Sequence, residues 1–203
     1  IALAFSASSC HDDLDLMPND PDTYTQFDVF KDPATAKSAL AKVYASLALT
    51  GQKGPAGSGD VQGIDEGSSQ YTRLMFNLNV LTTDESIVGW GDPGLPNLHG
   101  ISWGASNSFV EAMYYRLAQT VSFSNSFIAN AKTLSETSPE VKEYVAEARF
   151  IRAYAYYNLM DLYANVPLVT EVSSELPKQS NRQEIFTFVE SELKAMEADM
   201  KAG

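Results

Sequence analysis

The segment from Arg149 to Leu168 constrains the fold more than any other part of the sequence, because it has a helical pattern and is apolar on nearly every side. One helical stripe consists of apolar residues: Val141, Val145, Ala148, Ala155, Leu159 and Leu162. The other sides are apolar as well: Phe150, Tyr154, Tyr157 and Met160. We therefore predict a buried helix with almost no solvent face. Arg149, Arg152 and Asp161 interrupt this surface, and since buried charges need partners, we expect them to bind acidic residues and backbone groups of adjacent elements.

The remaining pattern predicts an all-α fold of tetratricopeptide-like helix pairs with long irregular loops. The long helix begins at Ser138-Pro139-Glu140 and ends before Pro167, which disfavours helical geometry at the preceding residue. Further helices are predicted at about 34–49, 108–133 and 181–200, the last from a capping box of Asn181 and Glu184. Residues 51–67 hold six glycines and predict a loop, residues 71–80 alternate only weakly, and residues 89–106 predict a long aromatic loop.

The charge balance excludes one class of function. The net charge of −12 and the pI near 4.5 are unsuited to nucleic acid, whose phosphates need clustered Lys and Arg. No cofactor or metal is expected either, because the spacing of Asp12, Asp13 and Asp15 lacks the glycine and distal glutamate of a calcium loop.

The only cysteine follows an apolar stretch that runs into small residues. This arrangement is typical of the end of a lipoprotein signal peptide, so we interpret residues 1–9 as a signal remnant and Cys10 as the lipidated residue. The alternative is a lone cysteine after an unrelated hydrophobic start. Residues 10–30 are acidic, punctuated by proline and without periodicity, and predict a lipidated tether ahead of a helical domain over 31–203.

Catalytic arrangements are weak in this sequence, and we expect no enzyme. His11 and His99 are the only histidines, and neither forms a recognisable nucleophile–base pattern. The paired carboxylates at 65–66 and 84–85 are compatible with a glycosidase, but adjacent side chains point apart and loop acids are mostly solvated.

A binding site is better supported. Trp90 stands between Gly89 and Gly91, which remove neighbouring side chains and leave an indole face free to stack on a pyranose ring. The alternative is that Trp90 fills a core beneath the loop. For Trp103, close to a helix start, we expect core packing.

Several strings of the sequence resemble the SusD/RagB family of outer-membrane nutrient-binding lipoproteins, and in particular its starch-binding members. They are Arg149 to Leu168, Leu49 to Gly54, Asp65-Glu66-Gly67, Phe76 to Asn79, Thr83 to Trp90, Ile101 to Trp103 and Glu190 to Met200. The resemblance covers Cys10 to about Met200. It implies glycan binding on an arc of aromatic residues, with Trp90 as one platform and Arg73 as a hydrogen-bonding group.

The sequence departs from the family pattern at two positions of that site. Where the resemblance implies an asparagine three residues after the tryptophan, Pro93 stands, so Asp92 or Asn97 is expected to substitute; a second tryptophan is replaced by Val88. The remaining aromatics are expected beyond residue 203, and the fold is expected to be incomplete at its C-terminus.

The resemblance implies a function at the cell surface. The protein is expected to be lipid-anchored in the outer membrane, to capture starch-like α-glucan oligosaccharides and to pass them to a SusC-like TonB-dependent transporter. The alternatives are a tetratricopeptide-type adaptor that binds a protein partner and, ranked third, a surface glycosidase.

Overall fold

A computed structural model describes residue 23 and residues 25–51 and 59–200, and within these ranges the fold is all-α. The helices are α1 (Gln26–Val29), α2 (Pro33–Ala48), α3 (Tyr71–Asn79), α4 (Leu95–His99), α5 (Ser108–Ser135), α6 (Pro139–Tyr163) and α7 (Arg182–Met196). Single 3₁₀ turns lie at Glu66–Ser68 and Glu197–Asp199. Two short strands, β1 (Val166–Pro167) and β2 (Gln179–Ser180), pair antiparallel between α6 and α7. The predicted all-α class is confirmed.

The long helices begin where the sequence predicts, because each has a polar cap. Asp32, Asn107, Ser138 and Asn181 each accept a hydrogen bond from a backbone N–H in the first turn of α2, α5, α6 and α7. The predicted capping box of Asn181 and Glu184 is present. The core is produced by packing of α5 against α6 and of α6 against α7, with α2 against both α5 and α6.

A buried ion cluster joins α6 to α7, as the charges of α6 predict. Arg149 donates to Glu192 from Nε at 2.9 Å and from Nη2 at 3.1 Å, and Arg152 binds the same carboxylate. Burial alone disfavours the charged carboxylate, but the hydrogen bonds and charges of the two arginines outweigh it and hold the pKa of Glu192 below its ordinary value. The expectation for Asp161 is wrong: the residue is exposed, and among the described residues Arg182 contacts its backbone carbonyl and not its carboxylate.

The expectation that α6 lacks a solvent face is also wrong. Phe150 and Tyr157, seven residues apart on one side of α6, are about half exposed. On α7, Phe186 and Leu193 are likewise seven residues apart and partly exposed. We call these two pairs the exposed stripes of α6 and α7. An apolar composition indicates that a helix can be buried on every side, but it does not tell which side a neighbour covers.

Three short elements differ from the sequence prediction. Within the predicted tether, α1 forms a capped turn, and Phe30 packs edge-on against Phe127 at 5.6 Å. Residues 71–79 form α3, although their alternation is weak, because Tyr71, Leu74 and Asn77 face inward at helical spacing. The short helix α4 interrupts the predicted aromatic loop.

Two predictions lie outside the described residues. The first is the lipidated end, with residues 1–9, Cys10 and the tether up to residue 22 and at residue 24. The second is part of the glycine-rich loop, residues 52–58. Over the ranges that are described, no helix combines the length and the hydropathy needed to cross a membrane.

Candidate functional site

Trp90 lies on the surface, in the segment between α3 and α4. Its side chain is 62% exposed. At Gly89 and Gly91 a Cβ would meet no atom of the described residues within 4 Å, apart from the adjacent residues of the chain, so nothing described packs over these two glycines. The alternative that Trp90 fills a core is therefore wrong, and the ring is available to a ligand.

Arg73 lies in the first turn of α3, and the segment before this helix is firmly anchored. Gln70 caps α3 by accepting from the backbone N–H of Arg73 at 2.9 Å. Arg116 of α5, completely buried, donates to the Ser69 carbonyl at 3.0 Å and pairs with Asp60 at 2.7 Å. Arg73 itself is half-buried, and its Nη1 donates to the Gly67 carbonyl at 3.2 Å. Its remaining guanidinium donors form no hydrogen bond with the residues that the structure describes.

Asp92 and Asn97 lie on either side of the start of α4. Asp92 is exposed, and its backbone carbonyl accepts from the N–H of Leu95 at 3.0 Å. Asn97, also exposed, donates from Nδ2 to the Ser102 hydroxyl at 3.3 Å. Both side chains are accessible to a bound molecule.

Asn97 lines an open cleft whose volume is about 410 Å³. The cleft, which we call the Trp103 cleft, is lined by Pro93, Gly94, Asn97, Ser102, Trp103, Gly104, Ser106, Asn107 and Ser108. Trp90, Asp92 and Arg73 are not among its lining residues. The structure thus brings Asn97 together with Trp103, for which core packing is expected from the sequence, and not with Trp90.

The expectation of core packing for Trp103 is wrong, since the side chain is 40% exposed. The chain reaches it through Ile101, which has a φ of +50°. Asn107, four residues after Trp103, then caps α5, so the indole precedes the helix and stays outside the helical core. A left-handed β-branched residue is an uncommon conformation that the sequence pattern does not predict.

The paired loop carboxylates are either exposed or bound to a neighbouring hydroxyl. Glu66 accepts a hydrogen bond from the Thr50 hydroxyl at 3.0 Å, while Asp65, Asp84 and Glu85 are exposed. None of the four lines the Trp103 cleft. Within the described ranges no three His, Cys, Asp or Glu side chains come together as metal ligands would.

Comparison with known proteins shows the family of this chain. A SusD-like family model, described as "Starch-binding associating with outer membrane", matches residues 21–203. The chain is 37% identical over 199 residues to the starch-binding protein SusD of Bacteroides thetaiotaomicron, covering 98% of this chain and 34% of that protein. It therefore spans about a third of the length of this relative.

Solved structures show the same fold at lower identity. A SusD superfamily protein from Bacteroides vulgatus has a TM-score of 0.65 at 17% identity, over 85% of this chain and 35% of its own. A laminarin-binding SusD-like protein has a TM-score of 0.57 at 15% identity, over 83% of this chain and 34% of its own. Since the family model matches most of the chain and the SusD relative exceeds 30% identity, the protein belongs to the SusD-like family.

Proposed function

We propose that the protein is a non-catalytic, cell-surface glycan-binding protein that captures starch-like oligosaccharides. The observation that carries this proposal is Trp90, a largely exposed tryptophan in a glycine-flanked segment with no described neighbour over its glycines. Exposed indole faces suit the apolar face of a pyranose, because stacking removes apolar surface of both partners from water. The SusD relative is a starch-binding protein, which supports the same class of ligand.

We propose that polar side chains complete the site. Among the described residues only one hydrogen bond, to the Gly67 carbonyl, is made by the Arg73 guanidinium, and Asp92 and Asn97 are exposed. We propose that these three side chains bind sugar hydroxyls, with Asp92 or Asn97 replacing the donor that Pro93 lacks. At Pro93 and Val88 the sequence departs from the family pattern close to Trp90 in the chain. The glycan preference of the SusD relative therefore cannot be assigned to this protein and has to be measured.

The cellular setting is part of the same proposal. The family description names association with the outer membrane. We propose lipid anchoring through Cys10 and delivery of the glycan to a SusC-like TonB-dependent transporter. Removal of the thiol in Cys10→Ser is expected to release the full chain from the membrane fraction of the producing cell.

The exposed stripes of α6 and α7 favour a second candidate function, binding of a protein partner. In that case the chain would act as a tetratricopeptide-type adaptor and Trp90 would have no role in sugar binding.

Calorimetric titration separates these candidates. The full chain is titrated with maltoheptaose, an α-glucan, and with laminarihexaose, a β-glucan, and the same mixtures are assayed for new reducing ends. We expect saturable binding of at least one oligosaccharide and no release of reducing sugar. Absence of binding to both would contradict glycan capture and favour the adaptor, and reducing-sugar release would make the protein a glycosidase.

A further inference from the structure

We infer that the Trp103 cleft is a second carbohydrate subsite, specific for uncharged sugars, with the Trp103 indole as its stacking platform. This inference rests on the proposed function and extends it, because Trp90 does not line this cleft. The two tryptophans would contact different parts of one bound oligosaccharide or two separate chains.

The size and the chemistry of the cleft fit a sugar. Its volume of about 410 Å³ falls within the range of roughly 300–1,000 Å³ that is typical of small-molecule sites. One wall is an indole that is 40% exposed, and the other lining groups are glycine, proline and the side chains of serine and asparagine. An aromatic face with several hydroxyl and amide groups is the combination that a polyhydroxylated ring needs.

The cleft is electrically neutral in a strongly acidic protein. None of its nine lining residues is ionisable, although the chain carries a net charge of −12. An anionic sugar would find no cation in this lining to compensate its charge, and it would be repelled by the acidic surface. The lining therefore selects neutral over acidic oligosaccharides.

Polar groups of the cleft differ in how firmly they are bound. Asn107 is fixed, because its Nδ2 donates to the Gly94 carbonyl at 2.8 Å and its Oδ1 caps α5. In contrast, the Asn97–Ser102 hydrogen bond and the bond from the Ser108 hydroxyl to the Pro93 carbonyl are both 3.3 Å long. Bonds of this length are weak, so these three side chains can exchange them for sugar hydroxyls while Asn107 keeps the wall in place.

The backbone that presents Trp103 is strained. Ile101 adopts a φ of +50°, and its own side chain is 70% exposed, so no burial of that side chain compensates the conformation. Backbone hydrogen bonds from Ile101 N–H to Leu98 and from Ser102 N–H to Asn97 hold the turn, at 3.2 and 3.0 Å. Strain of this kind is typical of segments that position a binding group.

Single-tryptophan variants test the inference, because the chain contains only two tryptophans. In Trp90→Phe the sole reporter is Trp103, and in Trp103→Phe it is Trp90. Quenching by acrylamide is measured with and without saturating neutral oligosaccharide, maltoheptaose or laminarihexaose, whichever binds the unmodified chain more tightly. We expect the quenching constant of Trp103 to fall about twofold, since stacking covers one face of the ring.

The outcomes separate this inference from the proposed function. Protection of Trp103 supports the subsite, whether or not Trp90 is protected. Protection of Trp90 alone overturns the subsite and leaves glycan capture intact. Protection of neither tryptophan, with no heat of binding, overturns both.

Two further measurements test Trp103 as the stacking platform and the selection of uncharged sugars by the cleft. Trp103→Ala should weaken binding about tenfold, and Trp103→Phe, which keeps a smaller aromatic face, should weaken binding less than Trp103→Ala does. Equal affinity of the alanine variant and the unmodified chain would contradict the platform; if that variant does not fold, the quenching result decides. An oligogalacturonide of equal length should leave Trp103 unprotected, and protection by it would contradict selection of uncharged sugars.

Discussion

Replacing Glu192 by alanine should be among the most damaging single changes in this protein. The carboxylate is 10% exposed and binds both Arg149 and Arg152, whose side chains are 24% and 7% exposed. Breaking a buried ion pair by removing one partner typically costs about 3–5 kcal/mol, because the other charge stays buried without compensation. Arg152 keeps hydrogen bonds to Asn125 at 2.7 Å and to the Thr170 carbonyl at 2.8 Å, and Arg149 can reach water, so the lower end applies.

A loss of about 3 kcal/mol corresponds to a fall of roughly 6–12 °C in Tm for a chain of this size. The matched control is Glu190→Ala, in the same helix, which removes an i,i+4 pair with Lys194 whose side chains are 50% and 71% exposed. That pair contributes only about 0.3–0.5 kcal/mol. Circular dichroism during thermal and urea unfolding measures both variants. If Glu192→Ala and Glu190→Ala have the same Tm, the buried cluster does not stabilise the α6–α7 packing.

Further predictions concern the site and the same cluster. Arg73→Ala should lower glycan affinity less than Trp90→Ala does, because water partly replaces a hydrogen bond to a neutral hydroxyl; unchanged affinity in titration would remove Arg73 from the site. Gly94→Ala should destabilise the chain by about 1–3 kcal/mol in urea unfolding, since φ is +90° and a Cβ would lie 3.1 Å from Asn107; equal stability would show that the turn relaxes. Because the pKa of Glu192 is lowered in the folded protein, its ion pairs should stabilise the fold fully above pH 4.5, and this contribution should be lost as the pH falls through the lowered pKa. In Glu192→Gln this acid-dependent change in stability should be absent. The exposed stripes of α6 and α7 should bind a hydrophobic dye, and serine at Phe150 and Phe186 should reduce the signal.

The helical framework could be predicted from the sequence because its signals are local. Helix starts are indicated by capping residues, Asp32, Ser138 and Asn181, and a helix end is indicated by Pro167. The long helices therefore agree with the prediction to within a few residues at most termini. The partners of the α6 arginines could be predicted only by type. Glu192 binds both Arg149 and Arg152 because of the way α7 packs against α6. No local sequence pattern encodes this packing.

The site was less accessible to prediction, because exposure of a loop aromatic depends on backbone turns and on distant neighbours. The glycines beside Trp90 are compatible with an exposed ring and with a buried one, and the structure shows the ring on the surface. The expectation for Trp103 was wrong because the left-handed turn at Ile101 carries no sequence signature. Arg116, an arginine within the apolar pattern of α5, is a sequence signal for a buried anchor, and its partner in the structure is Asp60.

Titration of Trp90→Ala tests the central claim most directly. Calorimetry compares this variant with the unmodified chain, with Trp90→Phe and with Tyr115→Ala. The last variant is a control that removes an exposed aromatic ring elsewhere, on α5. If Trp90 stacks on the glycan, the alanine variant should lose about 1–3 kcal/mol, or roughly tenfold to a hundredfold in affinity, taking stacking on a nucleobase as a guide. The phenylalanine variant should retain most of the affinity, the Tyr115 variant all of it, and Tm should stay unchanged. A large fall in Tm with intact sugar affinity in Trp90→Ala would contradict the account.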